Sequence, residues 1–354
     1  MFQSVLWMRS LLANKNTFER QYWVDAAKSI GIYLIVFGHL PAIASSQTPT
    51  ADFLVSFLWT FHVPLFFFIS GYLNKPDPPG EFLKRITFRL VIPYIVIYLT
   101  TVLLVVAFGD RFYVATANTV SEMLFGIFWG SQSYEAFVNV VLWFLPALVI
   151  VELIFNLVIQ RSKWLYIPFL VTSIYIYQTG NYDLFLSIDL ALLGLNYYLI
   201  GICAKKYNLI QFFRRVSLWI LGLVFMVLFA FTLLFAYNGN VWYTGSFYPI
   251  SLIGGIIGIG MVVSLSVLVE RTTKQQNFII FISSNTLFIF CFHMFSNSFA
   301  VELMEKIGFQ ESVRTSLITA LLSILMLIPF IPLTHRFFPQ MLGIRKKSRT
   351  AIST

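Results

Sequence analysis

Lys28 and His39 stand towards opposite ends of the stretch RQYWVDAAKSIGIYLIVFGHL, residues 20–40. At about 100° per residue they lie close to three helical turns apart, so on a helix they share one face, roughly 16 Å apart along the axis. Ile32 and Ile35 fall between them on that face. A cation near one end of an apolar run is thereby aligned with a titratable imidazole deep within it. An imidazole can take up and return a proton during a reaction, and an ionisable group at membrane depth is a functional site by default.

Other residues could take part. Of the four histidines, His62 falls within the second apolar run, on a helix adjacent to that of His39. It serves either as an interhelical hydrogen-bonding residue or as a second reactive imidazole. His335, beside Arg336 at the end of the last run, reads as an interfacial residue. Asp25 lies one turn before Lys28, spaced to pair with it. The two form either a helix-end ion pair or a unit in which Lys28 meets a phosphate and Asp25 orients it. Arg85 and Arg89 are also one turn apart, close enough to grip a single anionic group, although orientation in a membrane alone would account for cations there. Glu152 and Asp189 fall inside apolar runs. Each must face the protein interior or water, as the partner of a His or Arg or as a contact to a substrate. There is no Gly-x-Ser-x-Gly elbow, no phosphate-binding Walker loop and no metal-ligand cluster.

These residues need long apolar helices to position them. The chain has 354 residues, 58% hydrophobic and only 11% charged, with a mean hydropathy of +0.80. That composition predicts an all-α polytopic membrane protein. About ten apolar segments can be placed, at 26–44, 53–73, 86–108, 136–159, 164–178, 184–203, 216–237, 247–269, 278–300 and 315–335. The shorter piece 119–130 reads as a re-entrant or interfacial helix. Lys and Arg sort the loops. One set carries Lys75, Lys84, Arg85 and Arg89; Arg161 and Lys163; Lys205, Lys206, Arg214 and Arg215; Arg271 and Lys274; and, towards the tail, Arg336, Arg345, Lys346, Lys347 and Arg349. The other carries only Arg111, Lys306 and Arg314, with acids such as Asp110. The bias predicts both termini in the cytoplasm, with His39 and His62 in the outer half of the bilayer. The formal charge of +9 is thus a topology signal, and no nucleic-acid partner is expected. Residues 1–19 read as a cytoplasmic arm without a cleavable signal, 20–338 as one membrane domain and 339–354 as a basic cytoplasmic tail. Cys203 and Cys291 suggest neither a disulfide framework nor a metal site.

The order Arg20-x4-Asp25-x2-Lys28, an apolar run and Gly38-His39 resembles the opening of the acyltransferase-3 family of bacterial membrane proteins. The basic-x10-His spacing, here Lys28 to His39, is the family's most specific signature. The segment HVPLFFFISGY, from His62 to Tyr72, is similar to the continuation found in sugar O-acetylases of the fucose 4-O-acetylase type. Lys84-Arg85-x3-Arg89-Leu90-x2-Pro93-Tyr94 resembles the family's Arg-rich entry to the third span. The stretch SSNTLFIFCFHMF, which contains His293, resembles its late Ser-Leu-x-x-aromatic-x-x-His element, and Leu142-Trp143-Phe144-Leu145 another. The family often has Arg where Lys28 stands; Lys keeps the charge but loses the bidentate fork. An extra soluble hydrolase-like domain is also common in the family. Here the membrane module alone is expected.

The resemblance implies a membrane O-acyltransferase of the bacterial inner membrane. It would move an acyl group, expected to be acetyl, from cytoplasmic acyl-CoA to a sugar hydroxyl of an exported or cell-surface polysaccharide or its precursor. His39 would act as general base or transient acyl carrier, with His62 and Asp25 also in catalytic roles. Lys28, Arg85 and Arg89 would hold the phosphates of acyl-CoA, with acetyl-CoA the expected donor. His293, Glu152 and Asp189 would contact the glycan or lipid-linked glycan acceptor. Membrane lipid surrounds the whole, and no metal is implied. The rival class is a non-enzymatic flippase or exporter of a glycan or its lipid-linked precursor. It explains ten spans and basic loops but neither the shared face of Lys28 and His39 nor the His62 segment, and no internal repeat supports it.

Overall fold

The computed structural model describes residues 20–45, 48–75, 77–108, 119–131, 134–180, 183–239, 247–273 and 276–343. The expected arm over 1–19 lies outside them, as do Pro76, Asp110, Arg111, Lys274 and the tail cations Arg345, Lys346, Lys347 and Arg349. Among the described residues every regular element is helical and no strand occurs. Eight helices among the described residues are long and apolar enough to cross a membrane: 49–72, 79–107, 140–159, 185–206, 218–237, 248–272, 286–306 and 313–337. This is an all-α polytopic membrane protein. The two other expected segments are shorter helices, Tyr22–Gly38 of 17 residues and Tyr166–Thr179 of 14. The interrupted piece at 119–130 forms one helix, Val120–Trp129, which ends at Gly130 in the left-handed region.

The helices that build the site are numbered in chain order. They are α1 (Tyr22–Gly38), α2 (Pro41–Ala44), α3 (Pro49–Tyr72), α4 (Pro79–Ile86), α5 (Ile92–Phe108), α6 (Val120–Trp129), α7 (Phe144–Leu153), α8 (Tyr166–Thr179), α9 (Ile188–Lys206), α10 (Ile210–Arg215), α11 (Leu218–Tyr237), α12 (Tyr248–Thr272), α13 (Asn277–Ser284) and α14 (Thr286–Lys306). Helices α15 (Val313–Leu327) and α16 (Phe330–Phe337) close the order. Prolines open α2, α3 and α4 in the first turn, where a missing N–H costs nothing. Two π-helical turns interrupt the ladder, Thr87–Val91 between α4 and α5 and Ile154–Ile159 after α7.

Helix α1 is the axis of the bundle. It packs against α3, α12, α13, α14 and α15 and contributes to both apolar cores. Trp23, Val24 and Ala27 join the larger core with Phe61, Phe67 and Tyr198. Ile32, Ile35 and Val36 join a second core with Ile289, Ala320 and Ile324. Lipid tails are as apolar as these side chains, so close packing rather than transfer out of water holds such contacts. The α3–α9 crossing is built for it. A Cβ on Gly71 would overlap the Tyr198 carbonyl and one on Gly201 the Phe68 carbonyl, so the two backbones touch and only glycine fits at either place.

Candidate active site

Two cavities lie end to end along α1. The first, of about 200 Å³, is lined by Lys28, Ser70, Arg89 and Thr286 among apolar residues. The second, of about 280 Å³, is lined by His39, His62, Trp59, Trp143 and Asn297. Ile35, Val63, Phe144 and Phe290 line both. A wall of four side chains from α1, α3, α7 and α14 therefore separates them. Phe144 is its hub, with ring centroids 4.9 Å from Phe67, 5.6 Å from Phe290 and 6.4 Å from Phe66. Of the two isoleucines expected between Lys28 and His39, Ile35 lies in the wall, while Ile32 is fully buried in the core.

The Lys28 cavity is held by charge pairing between helices. Helix α13 stops at Ser284 and α14 restarts at Thr286, which leaves carbonyls at the break without helical partners. Lys28 Nζ donates to the Ser283 carbonyl at 2.8 Å, a favoured place for a cation. Asp25 does not pair with Lys28. Its carboxylate accepts from Arg20 at 2.7 and 3.0 Å and from Ser283 Oγ at 2.6 Å. The acid thus clamps α1 to the same break, roughly four turns from His39. Arg89 sits in the first π turn and pairs with buried Glu152, two residues before the second; such turns are frequent at functional sites. Arg85 is 4.0 Å from the same carboxylate and donates to Asp77 at 2.6 Å. Arg85 and Arg89 thus converge on one anionic group, a protein carboxylate, and Arg85 lines neither cavity.

The histidine cavity is organised differently. The centroid of the His39 ring lies 6.4 Å from that of His62 and 5.1 Å from that of His293, so three of the four histidines meet. His39 caps α1, and its Nδ1 donates to the Ile35 carbonyl at 2.8 Å. His62 Nδ1 donates to Leu58 at 2.6 Å, and His293 Nδ1 to Phe290 at 2.7 Å. A carbonyl oxygen only accepts, so each Nδ1 carries the hydrogen and each neutral ring keeps its lone pair on Nε2. Nε2 of His293 is buried with no partner among the described residues, and His293 stands behind His39 rather than in the cavity lining.

Asp189 joins neither cavity. It is buried in the first turn of α9, where a helix N-terminus favours a carboxylate. His335 donates to Asn285 Oδ1 at 3.0 Å, at the α13–α14 break. Sequence reasoning passed over Asn297, although a carboxamide one turn after His293 in an apolar span was a signal for it. It also passed over the α13–α14 break that receives Arg20, Asp25 and Lys28; Ser283-Ser284-Asn285 was the signal there.

Fold and site together define a class: a polytopic helical membrane protein whose titratable side chains sit in cavities at two depths of one bundle. A family model described as an acyltransferase domain, acyltransferase-3, matches residues 21–335, and the chain belongs to that family. It is a membrane acyltransferase, which sets the carrier reading aside. No curated protein and no solved structure matches the chain.

Proposed function

We propose that this protein moves an acetyl group from cytoplasmic acetyl-CoA to a sugar hydroxyl of an exported or cell-surface glycan, within a bacterial inner membrane. The observation that carries the reading is the shared wall: a cavity bearing Lys28 and Arg89 abuts, through four side chains, a cavity bearing His39 and His62. With both termini in the cytoplasm, as the loop cations favour, the first cavity faces the donor and the second the acceptor. Lys28 and Arg89 would meet the phosphates of acetyl-CoA. The pantetheine arm would span the roughly 16 Å rise along α1, with the thioester beyond the Phe144–Phe290 wall.

His39 is the general base of this reading. Its Nδ1 is occupied, and the Nε2 lone pair is available to take the proton of the acceptor hydroxyl. The hydroxyl oxygen bonds to the thioester carbon, the C–S bond breaks, and the leaving thiolate takes the proton back from Nε2. His62 shares the cavity and is suited to orienting the acceptor. His293 supports His39 from behind. Asp25 and Glu152 act at a distance, as clamps on the donor end. The segment from His62 to Tyr72 supports an acceptor of the sugar class.

The test is acetyl transfer in membranes, with mass-spectrometric analysis of envelope glycans from cells expressing wild-type protein and His39→Ala. Acetylated glycan is expected only with the wild-type chain. Glycans that are never acetylated, while another hydroxyl compound is, would reject the acceptor class.

A further inference from the structure

Asn297 lies one turn beyond His293 on α14, is 3% exposed, and lines the cavity that holds His39 and His62. Its orientation is set from two sides. The Val36 carbonyl can only accept, so the atom 3.1 Å from it is the amide nitrogen. Ser323 Oγ donates to Oδ1 at 2.7 Å and itself lies 2.7 Å from Ser296 Oγ. Val36 is on α1, three residues before His39, so the amide is anchored about one turn from that imidazole.

An amide nitrogen carries two hydrogens. Val36 takes one, and the second has no partner among the described residues. The neighbouring imidazoles cannot do the same work, because their Nδ1 hydrogens are spent on their own helices. His39 and His62 bring lone pairs to this cavity. Acyl transfer also builds negative charge on the carbonyl oxygen, and that charge needs an immobilised donor.

We infer that Asn297 is a further catalytic residue, whose second N–H donates to the thioester carbonyl oxygen as it becomes an oxyanion. The inference rests on the reaction proposed above. As the acceptor oxygen bonds to the thioester carbon and its proton moves to His39 Nε2, the carbonyl π pair moves onto the oxygen facing Asn297. Collapse re-forms the C=O bond, breaks C–S, and returns the proton to the departing thiolate. Asn297 gives up no proton at any stage.

Thiol release from acetyl-CoA tests this, with purified protein in nanodiscs and the envelope glycan fraction of the expressing cells as acceptor. A wild-type protein that releases no thiol overturns the proposed reaction and this inference with it. Given an active wild type, Asn297→Asp keeps the side-chain size and an oxygen for Ser323 but replaces the N–H donor. Its kcat is expected to fall about 100- to 1000-fold, with acetyl-CoA affinity and acceptor KM within about twofold of wild type. A kcat within about fivefold of wild type overturns the assignment, as does a parallel loss of donor affinity, which marks a purely structural clamp. The wild-type protein gives an independent reading should the variant not fold. Acetyl-CoA labelled with carbon-13 at the thioester carbonyl should show a lowered carbonyl stretch when bound, and an unshifted band overturns the proposal.

Discussion

The two cavities on either side of the Phe144–Phe290 wall hold their polar groups by opposite means. In the Lys28 cavity each charge is answered from another helix: Lys28 by the Ser283 carbonyl of α13, and Arg89 by Glu152 of α7. Around the histidine cavity each imidazole is fixed through Nδ1 by a carbonyl of its own helix, and the rings then meet across helices with no hydrogen bond to Nε2 among the described residues. A full charge at membrane depth needs a counter-group, so the first cavity exists only once the helices have assembled. A neutral ring can be oriented locally and remain reactive. The first arrangement suits grip, and the second suits chemistry.

The comparison predicts different kinds of loss on the two sides. The largest effect belongs to His39. Among the described residues its one hydrogen bond is to the Ile35 carbonyl of α1, so on replacement by Ala acetyl transfer should fall about 10²- to 10⁴-fold while insertion and acetyl-CoA binding persist. Near-normal glycan acetylation in that variant would remove the chemical half of the contrast.

Arg89→Ala should lose on two counts. It strands the buried Glu152 carboxylate, at a cost of about 3–5 kcal/mol in stability. It also removes charge-assisted contacts to phosphate, each about 1.5–3 kcal/mol, which corresponds to roughly a ten- to hundredfold rise in the acetyl-CoA dissociation constant. Adding Glu152→Gln to Arg89→Ala separates these effects. Thermal unfolding should recover and donor affinity should not. A double variant that titrates acetyl-CoA like wild type would make Arg89 a structural cation only.

A milder outcome is expected at Lys28. Lys28→Arg keeps the charge and should bind acetyl-CoA within about threefold of wild type, whereas Lys28→Gln should weaken binding about tenfold or more. Equal affinities for the two variants would show that the ammonium serves the Ser283 carbonyl alone. The smallest perturbation is a reporter fused after Thr354. Activity of a cytoplasmic reporter there leaves transfer untouched and fixes the Lys28 cavity as the donor side; activity of a periplasmic reporter would exchange the two sides.

Much of this was legible along the chain. The shared face of Lys28 and His39 follows from the helical period alone, because both sit on one rigid element. His39 and His62 were expected on adjacent helices, and their ring centroids lie 6.4 Å apart. The apolar runs announced the helices, although α1 and α8 run to only 17 and 14 residues. The pairing of charges was not legible. Asp25 is spaced to meet Lys28 but reaches Arg20 and Ser283 instead. Glu152, open as a substrate contact, is the counter-ion of an arginine 63 positions earlier in the chain. Asp189, grouped with it by sequence, is buried elsewhere.

The sequence by itself therefore determined the class of fold, the family and which residues share a face of one helix, since a fixed rise and rotation per residue carry that information over any apolar run. Only the tertiary structure decided which carboxylate answers which cation, that His293 closes on His39, that Asn297 enters the histidine cavity and that a wall of four side chains, Phe144 and Phe290 among them, divides the path. Those relations depend on how far one helix slides and turns against another. That is set by backbone contacts such as Gly71 on Tyr198 and by breaks such as the one after Ser284, and neither leaves a periodic trace in the chain.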